Sequence, residues 1–366
     1  MRGTQPVDET VGDACCVEGA DAVDHLRSDE NAIDRNTLKV AFVFPGQGSQ
    51  HVGMGRELYD HSPAARRVFD DANEILGINL RDICFEGPED VLTDTVNAQP
   101  AILTASIACL EAFRERCAEK GVTLAPSYVA GHSLGEYSAL VAAGAMTFRD
   151  ALLLVRERGR LMKEAGEQFP GGMAAVLGMD DESLVELCKE ASKKGVVCVA
   201  NFNSPGQTVI SGDHVALGEA MRLALAGGAR RAVRLAVSIA AHSPLMAEAS
   251  ARFTQAIDKC HIRQPQVPVL ANVTAQLIHS ADEIRRELSD QLCGSVRWQQ
   301  TIMALSALGV VLFLEIGPGQ VLTGLIKRTV KDVSTHSVND LKSLENLWST
   351  LHARMGGQAS GERGVG

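Results

Sequence analysis

A serine framed by glycines, Gly131-His132-Ser133-Leu134-Gly135, is the segment of this chain with the clearest chemical meaning. The G-x-S-x-G pattern works as a nucleophile elbow when a strand leads into it and a helix leads out. Here the apolar stretch Ser127-Tyr128-Val129-Ala130 precedes it and a helix-compatible run from Glu136 to Ala143 follows. The flanking glycines tolerate the strained backbone that lifts a hydroxyl off a sheet, and the next residue's N–H then lies at a helix start, where it can stabilise an oxyanion. The segment therefore reads as the nucleophile of a serine enzyme, and the flanking strand and helix weigh against a chance glycine-serine turn.

A serine hydroxyl is too weakly acidic to attack unaided, so a base is required. His132 adjoins the serine, but neighbouring side chains at such a turn diverge, which leaves its ring badly placed. Of the ten histidines, His242 has the best setting: it follows the strand-like Val237-Ser238-Ile239-Ala240-Ala241 and precedes Ser243-Pro244, a helix-start signal. Catalytic groups often sit on such strand-to-helix loops. A loop histidine bonded to backbone explains the same pattern, and the residues alone leave both readings open. A second loop, Phe44-Pro45-Gly46-Gln47-Gly48-Ser49-Gln50, follows the apolar Val40-Ala41-Phe42-Val43-Phe44. It would lie at a strand's C-terminal edge, where ligands bind in parallel α/β sheets, although an ordinary glycine-rich turn would look the same.

The elements that must position these residues alternate along the chain. Helical runs cover Pro63 to Leu76, Ala98 to Lys120 and Phe148 to Ala165, and the strands between them predict an α/β fold with a mainly parallel sheet. From residue 168 to 236 the order changes to strand (Met173–Leu177), helix (Glu182–Lys193), two strands (Val196–Ala200 and Thr208–Ser211), helix (Val215–Ala226) and strand (Ala232–Ala236). This β-α-β-β-α-β order predicts an inserted ferredoxin-like subdomain. The larger subdomain then comprises 37–167 and 237–350, resuming with a helix over Pro244 to Lys259 and strands near Val267–Leu270 and Val310–Leu314.

Composition narrows the function classes. The chain has 366 residues, 45% hydrophobic but only 4% aromatic, which suits a core of Val, Leu, Ile and Ala. With 35 Lys and Arg against 45 Asp and Glu, a general nucleic-acid binder is disfavoured. Nine cysteines without C-x-x-C spacing suggest free thiols in a reducing compartment, and no stretch approaches the apolar length of a membrane span. Residues 1–36 carry nine acidic residues against Arg2, Arg27 and Arg35, so a disordered acidic tail is expected there, and a flexible tail over 351–366. A soluble intracellular protein is expected, in the cytoplasm or an organelle matrix, plastid or mitochondrial.

Taken together, Phe44 to Gln50, Gln99-Pro100, Gly131 to Ala139, Arg158-Gly159-Arg160, Asn201-Phe202-Asn203-Ser204-Pro205-Gly206-Gln207, His242 and Glu315-Ile316-Gly317-Pro318-Gly319 resemble the malonyl-CoA:acyl carrier protein transacylases over about residues 39 to 345. The resemblance implies an α/β-hydrolase-like large subdomain with the ferredoxin-like insertion. It implies Ser133 as acyl-accepting nucleophile, His242 as general base and acid, the N–H groups of Gln47 and Leu134 as oxyanion hole, and a main-chain carbonyl at Gln291 holding the histidine in place of a carboxylate. It further implies that Arg158 grips the malonyl carboxylate, that Gln99, Asn201 and Asn203 bind substrate, and that Lys327 and Arg328 dock the carrier. Arg230, Arg231 and Arg234 are weaker docking candidates. Without the resemblance, a solvated helix surface would account for Arg158.

The implied activity is ping-pong transfer of malonyl from malonyl-CoA to the phosphopantetheine thiol of acyl carrier protein, by a monomer with no bound cofactor or metal. Ile239-Ala240-Ala241-His242 has the small residues of malonyl-using members but does not reproduce the segments that separate malonyl from methylmalonyl selection in polyketide acyltransferases, so malonyl is the expected group with branched extenders such as methylmalonyl left open as an alternative. Two other classes share part of this pattern. A lipase or thioesterase of the α/β-hydrolase type places an acid between serine and histidine and has no use for an arginine clamp. A catalytically silent scaffold has no need of Ser133, His242 and Arg158 together.

Overall fold

The strand Val40–Phe44 contains no polar residue because both of its faces are covered: Val40, Phe42 and Phe44 join one buried cluster, while Ala41 and Val43 join another on the opposite side. This two-sided burial marks the centre of a parallel sheet. The structure, a computed structural model, describes the backbone of residues 38–358 and side chains as far as residue 350. The expected acidic tail lies outside the described residues.

Ten strands are present among the described residues: β1 (Val40–Phe44), β2 (Tyr128–Gly131), β3 (Gly171–Leu177), β4 (Val197–Ser204), β5 (Gln207–Asp213), β6 (Arg231–Arg234), β7 (Val269–Leu270), β8 (Leu277–Ile278), β9 (Leu312–Ile316) and β10 (Ser334–Val338). They form a six-stranded sheet in the order β10-β9-β1-β2-β7-β8 and a four-stranded sheet in the order β4-β5-β3-β6. The first is parallel apart from the β7–β8 pair, and the second is antiparallel throughout. With helices Asp181–Ala191 and His214–Ala226 packed on it, the second sheet has the strand order of a ferredoxin-like unit. Its own core holds Ala174, Val176, Leu184, Val197, Ile210 and Leu217.

The helix Thr95–Glu119 runs beneath the large sheet and is buried along most of its length, with Pro100 inside it. Helix Phe148–Gln168 packs across it and turns Leu152, Val155, Arg158, Leu161 and Met162 inward. Gly159 makes the crossing possible, since a Cβ there would meet Thr95 O at 2.6 Å. The polar edge strand β10 and the two-residue strand β8 carry too little apolar alternation to be visible in the sequence. The last helix, Leu341–Gln358, carries helix into the segment expected as a tail, because Leu344, Leu347 and Trp348 are buried and Trp348 stacks on Phe113 at 6.2 Å. Residues 359–366 lie outside the described residues.

Seven cysteines among the described residues are free, and Cys84, Cys109 and Cys188 lie in the cores. No described helix is long and apolar enough to cross a membrane.

The tightest packing lies where β1 meets the elbow. A Cβ on Gly135 would fall 2.0 Å from Phe44 O. Alanine is favoured over glycine inside a helix by about 1 kcal/mol, yet Gly135→Ala is expected to destabilise the fold by about 2–3 kcal/mol, because the obstacle is backbone and cannot rotate away. Urea unfolding of the variant would measure this, and an unchanged or raised midpoint would refute it.

Candidate active site

Ser133 leaves the end of β2 with φ 50, in the left-handed region, and the helix Gly135–Ala142 starts almost at once. Glycine is required on both sides: a Cβ on Gly131 would meet the Gly135 carbonyl at 2.0 Å. The strained peptide is gripped at both ends. Ser133 N–H donates to Asn272 Oδ1 at 2.7 Å, and its carbonyl accepts from Glu136 N and from Gln291 Nε2, each at 3.1 Å. Asn272 follows β7, so these contacts come from the C-terminal ends of neighbouring parallel strands, where such sheets place their ligands.

His242, 109 positions further along the chain, brings Nε2 to 2.8 Å from Ser133 Oγ. It too has a left-handed backbone, φ 57, and its N–H donates to Leu292 O at 3.0 Å. The opposite ring nitrogen faces two main-chain carbonyls, Gln291 O at 2.8 Å and Gly294 O at 3.1 Å. Both can only accept, so Nδ1 carries the proton and Nε2 is left with a lone pair toward the serine. Burial, reinforced by the Arg158 charge, pushes the imidazole pKa down to about 3, so the ring is neutral and able to accept a proton. Gly294 was not foreseen from the sequence, where nothing distinguishes it from an ordinary turn glycine.

Arg158 is 2% exposed, on the inward face of its helix. One arm, Nη1, donates to Gln99 Oε1 at 2.9 Å. The other, Nη2, donates to Gln291 Oε1 at 3.1 Å and to Ser133 Oγ at 3.2 Å. The guanidinium carbon lies 5.7 Å from the Tyr137 ring centre, within cation–π range. Burial lowers the Arg158 pKa while its interactions with Tyr137 and Glu136 oppose that shift, and a guanidinium in this setting keeps its charge. A buried cation thus points at the serine oxygen. Arg160, two residues on, is half-exposed and pairs with Glu157 at 2.6 Å and with Glu164.

The loop after β1 closes the site from the other side. Gly46 lies so close to the elbow that a Cβ would meet His132 O at 2.3 Å, and His132 N–H donates to Phe44 O at 3.0 Å. Gln47 follows directly, exposed, and its side chain accepts from Thr95 Oγ1 at 3.2 Å. The main-chain N–H groups of Gln47 and Leu134 meet no acceptor among the described residues. Main-chain N–H groups left without an acceptor are of the kind that can stabilise a developing oxyanion.

The other sequence-derived positions are less simply placed. Asn203 is committed to His132, with Oδ1 2.8 Å from Nε2, and that ring packs edge-on against Trp298 at 5.6 Å. Asn201 bridges β4 to Val296 and leaves its Oδ1 buried and unpaired. Gln99 touches Arg158, Thr95 Oγ1 at 2.9 Å and Met162 Sδ at 3.4 Å. Lys327 and Arg328 are exposed on helix Val321–Thr329, but Arg328 already reaches across to Gln207 Oε1 at 3.1 Å and Ser204 Oγ at 3.4 Å, tying the two subdomains together. Arg230, Arg231 and Arg234 are exposed at the end of the small sheet.

Sequence reasoning missed a buried acidic pair beneath the dyad. Glu136 has no solvent exposure; its Oε1 accepts from Asn272 N at 3.0 Å and its Oε2 accepts from Gln291 Nε2. Glu287 accepts from Val273 N at 2.8 Å. Burial raises both carboxyls, Glu287 to about 7, and the nearby Glu287 charge raises Glu136 further. The available signal was a carboxylate directly after the glycine-serine motif, one residue into a helix with no polar face.

Residues 41–347 match the family described as acyl transferase domain. The malonyl CoA-acyl carrier protein transacylase of Bacillus subtilis (strain 168) is 48% identical over 314 residues, covering 86% of this chain and 97% of the relative. The crystal structure of acyl-carrier-protein S-malonyltransferase from Burkholderia pseudomallei 1710b superposes with a TM-score of 0.81 at 41% identity, covering 85% of this chain and 100% of that one. A malonyl-transacylase solved with its type II PKS acyl-carrier protein gives 0.81 at 43% identity, covering 85% and 99%. With matches of this extent lying on this fold, the chain belongs to the acyltransferase family, among its malonyl-CoA:acyl carrier protein transacylases.

Proposed function

We propose that this protein transfers the malonyl group of malonyl-CoA to the phosphopantetheine thiol of an acyl carrier protein, supplying fatty acid synthesis, through a malonyl-serine at Ser133. The observation that carries the assignment of roles is convergence: Ser133 Oγ lies 2.8 Å from His242 Nε2 and 3.2 Å from Arg158 Nη2. An ester-forming oxygen, a neutral base and a fixed cation then share one pocket. In the first half-reaction, His242 takes the hydroxyl proton as Ser133 attacks the thioester carbon. The oxyanion meets the N–H groups of Gln47 and Leu134, the carbon–sulfur bond breaks, and the imidazolium returns its proton to the departing CoA sulfur.

In the second half-reaction the carrier thiol gives its proton to His242 and attacks the serine ester. The Ser133 oxygen leaves and recovers that proton. The carbonyls of Gln291 and Gly294 hold the ring through both halves, fixing its tautomer as a carboxylate would in a triad. Arg158 pairs with the free carboxylate of the acyl group, since a planar fork can meet both carboxylate oxygens. Gln99 holds the other arm of that fork, and Asn201 and Asn203 line the approach from the small subdomain. Every one of these groups comes from one chain, so the mechanism needs no second copy, and none of its steps calls for a metal or cofactor. A soluble intracellular monomer, in the cytoplasm or an organelle matrix, is consistent with this reading.

The direct test is intact-mass measurement after incubation with malonyl-CoA. The wild-type chain should gain one malonyl group and release it to added carrier, Ser133→Ala should gain none, and labelling of Ser133→Ala at the wild-type level would refute the assignment. Arg158→Ala should lower kcat/KM for malonyl-CoA by about 100-fold, the equivalent of one to two hydrogen bonds to a charged group, and affect acetyl-CoA far less.

The pH dependence follows from His242. Its folded pKa is depressed, so the base form persists as pH falls, and the acid limb of kcat/KM for acyl-serine formation should lie well below the ordinary histidine value of about 6.5. A limb centred at about 6.5 would mean that the imidazole is not held as described.

Lys327 and Arg328 are proposed to receive the acidic carrier at the mouth between the subdomains. Reversing both to glutamate should raise KM for the carrier much more than KM for malonyl-CoA. An equal rise in both would exclude the docking role.

A further inference from the structure

The side-chain amide of Gln291 has a fixed orientation, and the group that fixes it is a carboxyl with no assigned part in the reaction. Gln291 Nε2 donates to Ser133 O at 3.1 Å and to Glu136 Oε2, which leaves Oε1 to accept from Arg158 Nη2 at 3.1 Å. A glutamine side chain can present either end of its amide. Here the choice has a consequence, because a turned amide would aim an NH2 group at the guanidinium. The second Glu136 oxygen accepts from Asn272 N at 3.0 Å, and Asn272 in turn holds Ser133 N–H at 2.7 Å and donates from Nδ2 to Gly131 O at 2.8 Å. One fully buried carboxyl therefore stands behind both arms that grip the serine peptide, and one amide away from the cation.

We infer that Glu136 is a positioning residue for acyl-group selection: by fixing the Gln291 amide it sets the Arg158 fork against Ser133, where only an acyl group bearing a free carboxylate can use it. This rests on the functional reading above and extends it. Gln99 Oε1 and Gln291 Oε1 pin one arm each of the fork, so losing either acceptor frees that arm to swing away from the serine. An acetyl group has nothing to pair with the fork and does not depend on its placement. A carboxylate bonded directly to Arg158 would occupy the same position as the substrate carboxylate. With the amide interposed, the carboxyl sits one residue back and the fork stays open.

The test is the ratio of acyl-serine formation from malonyl-CoA to that from acetyl-CoA, measured by intact mass on the full chain. In Glu136→Gln the new amide matches Asn272 N–H with its oxygen and so turns its NH2 toward that of Gln291, which can escape only by facing Arg158 with its own NH2. The malonyl-to-acetyl ratio should fall about 10- to 100-fold, as for loss of one hydrogen bond to a charged group. A role confined to folding would lower both rates together and leave the ratio unchanged, which would overturn the inference.

The exchanged double variant Glu136→Gln/Gln291→Glu decides the matter if the single variant does not fold. It restores donor to acceptor between the two side chains but places a carboxylate directly on Arg158, so the ratio should again fall. A wild-type ratio in the exchanged protein would refute the inference. Failure of the wild-type chain to form malonyl-serine at all would instead count against the functional reading.

Discussion

The site depends on a peptide held where it would not rest by itself. Ser133 and His242 both have positive φ, 50 and 57, and a non-glycine residue in that region costs on the order of 1–3 kcal/mol. The surrounding structure offsets that cost with specific hydrogen bonds: Asn272 and Gln291 on the serine peptide, and the Leu292 carbonyl on the histidine N–H. Residues from β2, from the segment after β7 and from the segment after helix Ala281–Asp290 are thereby locked to one another. The glycines at 131 and 135 are the steric condition for this arrangement, since each would put a side chain into backbone.

Charge is handled by distance. A buried guanidinium is expensive unless its charge is compensated, and pairing it directly with a carboxylate would leave no place for a substrate. Arg158 is surrounded by oriented neutral groups, the oxygens of Gln99 and Gln291 and the face of Tyr137, with the Glu136 carboxyl behind the amide. The same positive charge helps keep His242 neutral. Cation, base and nucleophile therefore condition one another, and no one of them can be understood from its own contacts alone.

What could be read from the sequence follows from how each residue is buried. The elbow was visible because its strand, glycines and helix are consecutive. The parallel sheet and the β-α-β-β-α-β insertion were visible because β1, β2 and β3 are apolar and continuous. Arg158 left a trace that periodicity alone could have caught: it occupies a helix face otherwise made of Leu152, Val155 and Met162, and a charge in such a row must have an inward purpose. Motif resemblance, not spacing, supplied Gln291 and Gln47: the carbonyl that Gln291 offers to His242 Nδ1 and the N–H proposed for Gln47 are main-chain atoms that carry no side-chain signature. Asn272, Glu136 and Glu287 stayed hidden because their use is defined only by groups distant in the chain. The β8 and β10 strands escaped because an edge needs little apolar character.

The free cysteines bear on the chemistry as well as the packing. Burial pushes the thiols of Cys84, Cys109 and Cys188 up to about 12, so at neutral pH they are protonated and poorly nucleophilic. Cys198, distant from the dyad in sequence, donates its S–H to His242 O at 3.4 Å. A catalyst that handles thioesters risks losing its cargo to its own sulfur atoms by exchange. Keeping Cys84, Cys109 and Cys188 protonated weakens these three described thiols as competitors of the visiting thiols for the acyl group, and so guards them against self-acylation.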